Sequence, residues 1–212
     1  MSAAKRQKLS TCALAHGPEF VGHLLDAIEN DVVPLTEAGV KAGNKLFGAC
    51  VLRKEDYSLV CAGTNLETEW PLLHGEVSCL RNIARMPADT RPNAKDCIFV
   101  ATHEPCSLCL SAITWSGYDN FYYLFSYVDT KDAFNIPHDL KILQEVFNCQ
   151  HGAYCRENAY WKAFDINKMV SELPEGEARS GLLERIEGLR KKYDDLSKVY
   201  QDSKDGNDIP LS

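Results

Sequence analysis

Two short fragments, His74-Gly75-Glu76 and Pro105-Cys106-Ser107-Leu108-Cys109, constrain this chain more than any other feature. Together they supply three good zinc ligands, a carboxylate that need not be a ligand, and an open fourth coordination position. That inventory suits a metal that activates water rather than one that staples a fold. A fold that uses it must bring both fragments to one point.

The spacing carries chemical information. Cys106 and Cys109 are three apart, so at a helix start they share one face, about a turn from each other. Pro105 fits the first helical position, where its missing N–H costs nothing. Free N–H groups and positive potential at a helix N-terminus favour thiolate. His74 is then a neutral third ligand. Two thiolates and Zn²⁺ leave the site near neutral, and a water in the fourth position is acidified towards about pKa 7. Glu76 stands one residue from His74, so the two cannot point the same way along a helix. Its carboxylate can reach that water, accept a proton and deliver it to a ring nitrogen and then to a leaving amine. The reaction class is hydrolytic attack on an amino-bearing sp² carbon, with ammonia released.

Other readings stand beside this one. A Cys-x-x-Cys after a strand also occurs as a thioredoxin-like redox pair, although His-x-Glu has no part in that chemistry. A purely structural zinc site needs a fourth protein ligand, for which His103 is the nearby candidate. His16, His23, His138 and His151 read as surface or satisfied histidines.

Composition narrows the setting. The 212 residues are 45% hydrophobic, enough for one core with appendages. No run approaches the roughly 18 apolar residues of a membrane span. Met1 to Lys8 has charges but no apolar stretch behind them, so it is not read as a secretory signal. Nine cysteines, an odd count with several inside apolar runs, favour free thiols in a reducing, intracellular compartment over a disulfide framework. The expected location is cytoplasmic, with Lys5, Arg6 and Lys8 as a weak nuclear-import alternative. A net charge of -7 argues against nucleic acid as partner and for a small-molecule substrate.

Strands alternate with helices along the chain. Phe20, Val21, Leu24, Leu25 and Ile28 have helical spacing running towards Val32. Leu46–Leu52 and Leu59–Ala62 read as a strand hairpin, followed by a helix from about His74 to Ala84. Cys97–Ala101 and Phe121–Phe125 are further strands, with helices opening at Pro105 and spanning Leu140–Phe147. A fifth strand is expected beyond Gly152. The order predicts an α/β sandwich on a mostly parallel or mixed sheet. The organisation predicted is an arm (1–16), a principal domain (17–168), a linker (169–180), an amphipathic helix (181–200) and a polar tail (201–212). Leu182, Ile186, Leu189, Tyr193, Leu196 and Tyr200 form an a/d stripe. It suits either a helix docked on its own domain or a dimerising coiled coil.

The His-x-Glu and Pro-Cys-x-x-Cys pair resembles the signature of the zinc-dependent cytidine deaminase-like superfamily. The resemblance covers about residues 18–150. It implies a three-layer α/β/α fold with a five-stranded sheet, both metal-bearing helices on one face, one Zn²⁺ per chain held by His74, Cys106 and Cys109, and Glu76 as proton shuttle. Gly43 to Ala49 is similar to the family's entry into its first strand, with Leu46 in place of proline. Gly63-Thr64-Asn65 resembles the segment whose asparagine contacts the base. By the same resemblance Phe47, Gly75 and Trp115 join Asn65 as substrate-binding residues, and a homodimer is expected.

The branch is less defined. His103-Glu104-Pro105-Cys106 and Ala112-Ile113-Thr114-Trp115 are similar to bacterial-type guanine deaminases, and Glu104 also to tRNA adenosine deaminases. The glycine of His74-Gly75-Glu76 is similar to fungal cytosine deaminase. The resemblance therefore implies deamination of a nucleobase or nucleoside, a purine such as guanine ahead of cytosine or cytidine. A tRNA adenosine-to-inosine editing subunit and a non-catalytic zinc-stabilised scaffold are the alternatives. Tyr154, Tyr160, Trp161 and Phe164 suit either a pocket-closing tail or buried packing.

Overall fold

The central strands are continuous apolar runs, buried on both faces of the sheet. The strands are β1 (Gly48–Arg53), β2 (Leu59–Thr64), β3 (Cys97–His103), β4 (Asn120–Phe125) and β5 (Lys162–Asp165). They lie in the order β2-β1-β3-β4-β5 in a computed structural model that describes residues 16–134 and 136–211. β1 pairs antiparallel with β2 and β3, whereas β3, β4 and β5 run parallel. The mixed five-stranded sheet is the one expected, and β5 is the fifth strand beyond Gly152.

Alternate residues feed opposite layers. Cys50, Leu52, Ile98, Val100, Tyr122 and Leu124 join one core, while Ala49, Val51, Phe99, Ala101, Phe121 and Tyr123 join the other. Over the second core lie α3 (Gly75–Ala84) and α4 (Ser107–Trp115), through Cys79, Ile83 and Ile113. The first core is covered by α1 (Pro18–Ala27), α2 (Val33–Lys41), α7 (Ile166–Glu172) and α8 (Glu177–Ser203). This is the three-layer sandwich, with both metal-bearing helices on one face. The remaining helices are α5 (Tyr127–Asp132) and α6 (His138–Phe147).

The structure refines three expectations. First, the helical pattern that runs towards Val32 continues beyond it. A π turn at Ile28–Val32 carries it into α2, which stops where Gly43 takes φ +89°. Pro34 lacks an N–H for the preceding turn, and the wider π turn accommodates it.

Second, the segment 169–180 is mostly helix. α7 continues to Glu172 and α8 starts at Glu177, with a short connection between them. The Pro, Gly and Glu of this stretch mark helix ends rather than a linker; Glu177 sits in a first turn, where negative charge is favoured.

Third, the polar tail is anchored to the domain. Asn207 Nδ2 donates to the Gly43 carbonyl at 3.0 Å, and Ile209 is buried.

α8 docks on its own domain. All six residues of the a/d stripe are buried in the first core, so this face is not available for a coiled coil. Arg185 pairs with Asp26 and Glu29 at 2.7 and 2.8 Å, and Arg190 with Asp129 at 2.8 Å, which fixes the helix register. The eight described cysteines, Cys50, Cys61, Cys79, Cys97, Cys106, Cys109, Cys149 and Cys155, are free thiols. Among the described residues no helix is long and apolar enough to cross a membrane. The arm at 1–15 and the basic cluster Lys5–Lys8 lie outside the described residues.

Candidate metal centre and active site

Each fragment sits at a helix start. His74 is the N-cap of α3, with extended φ -64° and ψ 161°, and its carbonyl accepts the Ser78 N–H at 2.8 Å. Cys106 is the N-cap of α4, with φ -64° and ψ 172°, and its carbonyl accepts the Leu110 N–H at 2.8 Å. Pro105 therefore precedes the cap instead of opening the helix, a correction to its expected place. The cap position needs extended backbone, and Cys106 fills it. The Pro105 carbonyl accepts the Tyr127 hydroxyl.

Glycines let the helices sit this close to the sheet. A Cβ at Gly75 would lie 2.6 Å from Gly48 Cα and 2.8 Å from the Phe47 carbonyl oxygen. A Cβ at Gly63 would lie 2.6 Å from the Cys79 amide nitrogen. Backbone atoms on both sides leave no room for a side chain.

The three ligands converge. Nδ1 of His74 lies 3.4 Å from Cys106 Sγ and 3.7 Å from Cys109 Sγ, and all three ligand atoms fall within 4.8 Å of one another. Tetrahedral zinc with ordinary Zn–S and Zn–N bonds sets such atoms about 3.6 Å apart. Two thiols and one imidazole are also a zinc donor set, so residues and metal fit. His103 is not a fourth ligand: its ring packs among Phe47, Phe125, Phe134 and Tyr193 at 4.6 to 5.2 Å. Its Nδ1 meets Thr102 Oγ1 at 2.9 Å, and Nε2 is buried without a partner. Burial holds its pKa down at about 3, so it is a neutral core histidine.

Electrostatics mark the same place. A hydrogen bond from Cys109, then His74, holds the Cys106 thiol well below its usual range, whereas burial and the Cys106 charge push Cys109 well above. Burial works to lower the His74 pKa, but Cys106, Glu76 and Glu67 together lift it to about 9. Glu76, buried in the first turn of α3, accepts the Cys109 thiol on Oε2 at 3.3 Å. Burial and then the Cys106 charge push its carboxyl up to about 7, within the range useful for proton transfer near neutral pH.

A three-ligand centre at paired helix starts, with a buried carboxylate against one ligand, coincides with a matched region. Residues 30–125 match the cytidine and deoxycytidylate deaminase zinc-binding region. Over this part of its length the chain is similar to zinc-dependent cytidine and deoxycytidylate deaminases. It is 36% identical over 74 residues to a cytosine deaminase of Candida albicans, covering 34% of this chain and 47% of that protein. It is 31% identical over 104 residues to a guanine deaminase of Bacillus subtilis, covering 48% of this chain and 64% of that protein. The chain thus spans between about half and two thirds of these curated relatives. A solved guanine deaminase structure from Nitrosomonas europaea aligns with 91% of this chain and 98% of its own, at 21% identity and a TM-score of 0.48. The matched region is a zinc-binding one, and His74, Cys106 and Cys109 within it form a site that fits zinc.

The residues expected to bind substrate separate into two groups. Phe47, Asn65 and Gly75 lie together at the metal face: the Phe47 carbonyl accepts the Asn65 N–H at 3.0 Å, and Asn65 Oδ1 accepts the Gly75 N–H at 2.6 Å. Asn65 is fully enclosed, and its Nδ2 donates to Glu67 Oε2 at 2.7 Å. Trp115 is not with them. It is 91% exposed at the last residue of α4, about 13 Å along the helix from Cys106. Of the four aromatic candidates, Trp161 packs on Phe121 and donates to Thr114 Oγ1 at 2.7 Å, and Phe164 stacks on Tyr122 at 4.7 Å. Tyr154 donates to Glu104 Oε1 at 2.9 Å, and Tyr160 is exposed. Packing is the better description of Trp161 and Phe164.

Sequence reasoning missed four residues. Lys45 and Glu67 form a buried pair at 2.9 Å beside His74. Arg156 binds the buried Glu104 at 2.6 Å. Asp139, near the start of α6, has its carboxyl pushed up to about 8 by burial and then by the Cys106 charge, with Glu76 adding and His74 and Lys45 opposing. The signal available for Glu67 was its place just after Asn65; the others had none.

Proposed function

We propose that this protein is a zinc-dependent hydrolase that deaminates a free nucleobase or nucleoside and releases ammonia, with a purine such as guanine ahead of cytosine or cytidine. The observation that carries the reading is the Glu76 carboxylate, buried against Cys109 at 3.3 Å and raised to about 7, where a structural metal site has no use for it. Zinc, when bound, supplies the Lewis acidity that makes a water nucleophilic near neutral pH.

The chain's own groups do the rest. Glu76 takes one proton from the attacking water and passes it to the ring nitrogen next to the reacting carbon, then takes the second from the new hydroxyl and passes it to the amine, which departs as ammonia. In this reading the amide N–H that Asn65 does not give to Glu67 goes to the base, which needs the enclosed Asn65 side chain to be uncovered as substrate enters. Preference for guanine draws support from the Bacillus subtilis relative, which matches over more of this chain than the Candida albicans one. A homodimer remains part of the proposal, by a surface other than the a/d stripe of α8. The net charge of -7 sets the tRNA-editing reading behind the small-molecule one.

The test is ammonia release by the zinc-loaded protein from guanine, guanosine, adenosine, cytosine and cytidine, with a tRNA anticodon stem as a further arm. Release from guanine above the others supports the proposal. Release from none of the small molecules, with inosine formed in the RNA, replaces it by the editing reading.

A further inference from the structure

Behind His74, on the side away from the sulfurs, stands a buried polar unit. Glu67, with a side chain 1% exposed, receives Lys45 Nζ on Oε1 at 2.9 Å and Asn65 Nδ2 on Oε2 at 2.7 Å. The same Oε1 lies 3.7 Å from His74 Nε2. Asn65 turns its other end to the Gly75 N–H, the first peptide of α3. A buried ion pair adds little net stability, because desolvation offsets its attraction, and apolar residues of similar volume would fill the space as well. Its position at the edge of the imidazole gives it another use.

We infer that Glu67 is a positioning residue that fixes the tautomer and orientation of His74 for zinc. Nδ1 is the nitrogen that faces both sulfurs, at 3.4 and 3.7 Å, so it is the ligating atom and must carry no proton. The single proton of the neutral ring then sits on Nε2, aimed at Glu67 Oε1. At 3.7 Å this contact is longer than a hydrogen bond, and a ring movement of about 0.8 Å closes it. Lys45 supplies the counter-charge a buried carboxylate needs. Asn65 ties that carboxylate to the start of α3, so the ring, the carboxylate and the helix start act as one unit. The inference rests on the zinc site and not on the reaction proposed for it.

The experiment measures zinc affinity, not activity. Zinc-loaded protein is titrated with a chromophoric chelator, comparing wild type with Glu67→Gln and with the double variant Lys45→Met, Glu67→Gln. Zinc affinity should fall about 10- to 100-fold in both, the usual effect of losing such a partner. The rise in Tm on adding zinc should shrink in the same variants, whereas a merely structural role would lower Tm equally with and without zinc. Glu67→Gln alone strands Lys45 in the interior, and the double variant removes both charges if the single one does not fold. Unchanged zinc affinity in either folded variant overturns the inference.

Wild-type protein gives an independent reading by NMR of the zinc-loaded His74 ring. A proton on Nε2, shifted downfield and slow to exchange with water, is expected. A proton on Nδ1, or one on Nε2 in free exchange with water, overturns the inference. Failure to release ammonia from any substrate would sink the proposed function and leave the zinc-affinity result standing.

Discussion

The Cys109 thiol lies 3.3 Å from Glu76 Oε2, so a ligand of α4 and a carboxylate of α3 meet at one point although 33 residues separate them. The contact places a carboxylate beside the metal position without making it a ligand. It also gives the proposed activity a pH signature.

Glu76 must be ionised to accept a proton, so kcat/KM should fall as pH drops through its pKa. Protein groups alone raise that pKa from 4.5 to about 7, and the zinc charge draws it back down. An acid limb with a midpoint at or below about 7 is expected in a pH–rate profile. Glu76→Gln should lack that limb in its residual activity; a limb that survives the substitution assigns it to another group.

Gly75 is held by steric necessity. A Cβ there would meet Gly48 Cα at 2.6 Å and its amide nitrogen at 2.9 Å, and neither can swing aside. Gly75→Ala should destabilise the protein by about 1–3 kcal/mol, the usual cost of overpacking. Zinc affinity should fall with it, because α3 carries both His74 and Glu76. Chemical denaturation with zinc quantitation checks both; a variant as stable as wild type would mean that α3 has more freedom than its packing implies.

His103 makes the fold acid-sensitive. Burial holds its pKa at about 3, below the ordinary 6.5, so the folded state binds fewer protons there than the unfolded chain. Its contribution is intact above 6.5 and is lost as pH falls from there towards 3, by up to about 1.4 kcal/mol per pH unit. His103→Leu should flatten the stability curve across that window relative to wild type. Parallel curves for the two proteins would show that His103 does not control the slope.

Glu104 is a buried carboxylate whose charge is met by Arg156 at 2.6 Å, Tyr154 and the Tyr127 N–H. Removing one partner of a fully buried pair costs about 3–5 kcal/mol. The Arg156 side chain is 42% exposed, so Arg156→Met should cost less, about 2 kcal/mol. A measured loss near zero would mean that Tyr154 and Tyr127 suffice for the carboxylate.

What the sequence made legible follows from how local each signal is. His74, Cys106, Cys109 and Glu76 belong to short motifs with fixed chemistry, and their spacing alone sets them at helix starts. β1, β3 and β4 are continuous apolar runs buried on both faces, and such runs announce themselves. Lys45, Glu67 and Asp139 acquire their roles only when separate elements pack, and the place of Glu67 just after Asn65 is the one local hint among them. Trp115 lies nine residues of helix beyond Cys106, and a motif match carries no information on that distance. The stretch 169–180 has the composition of a linker, but its glycine and proline punctuate two helices. The a/d stripe of α8 was legible as a stripe. Its partner was not, since a seam and a docked helix share one pattern.

The central claim, that Glu76 performs the proton transfer at a zinc centre it does not ligate, is tested most directly by zinc quantitation and ammonia release on wild type and Glu76→Ala side by side. The account predicts equal zinc content and ammonia release lower by about 10²-fold or more in the variant. Loss of zinc from Glu76→Ala, or ammonia release equal to wild type, would contradict it.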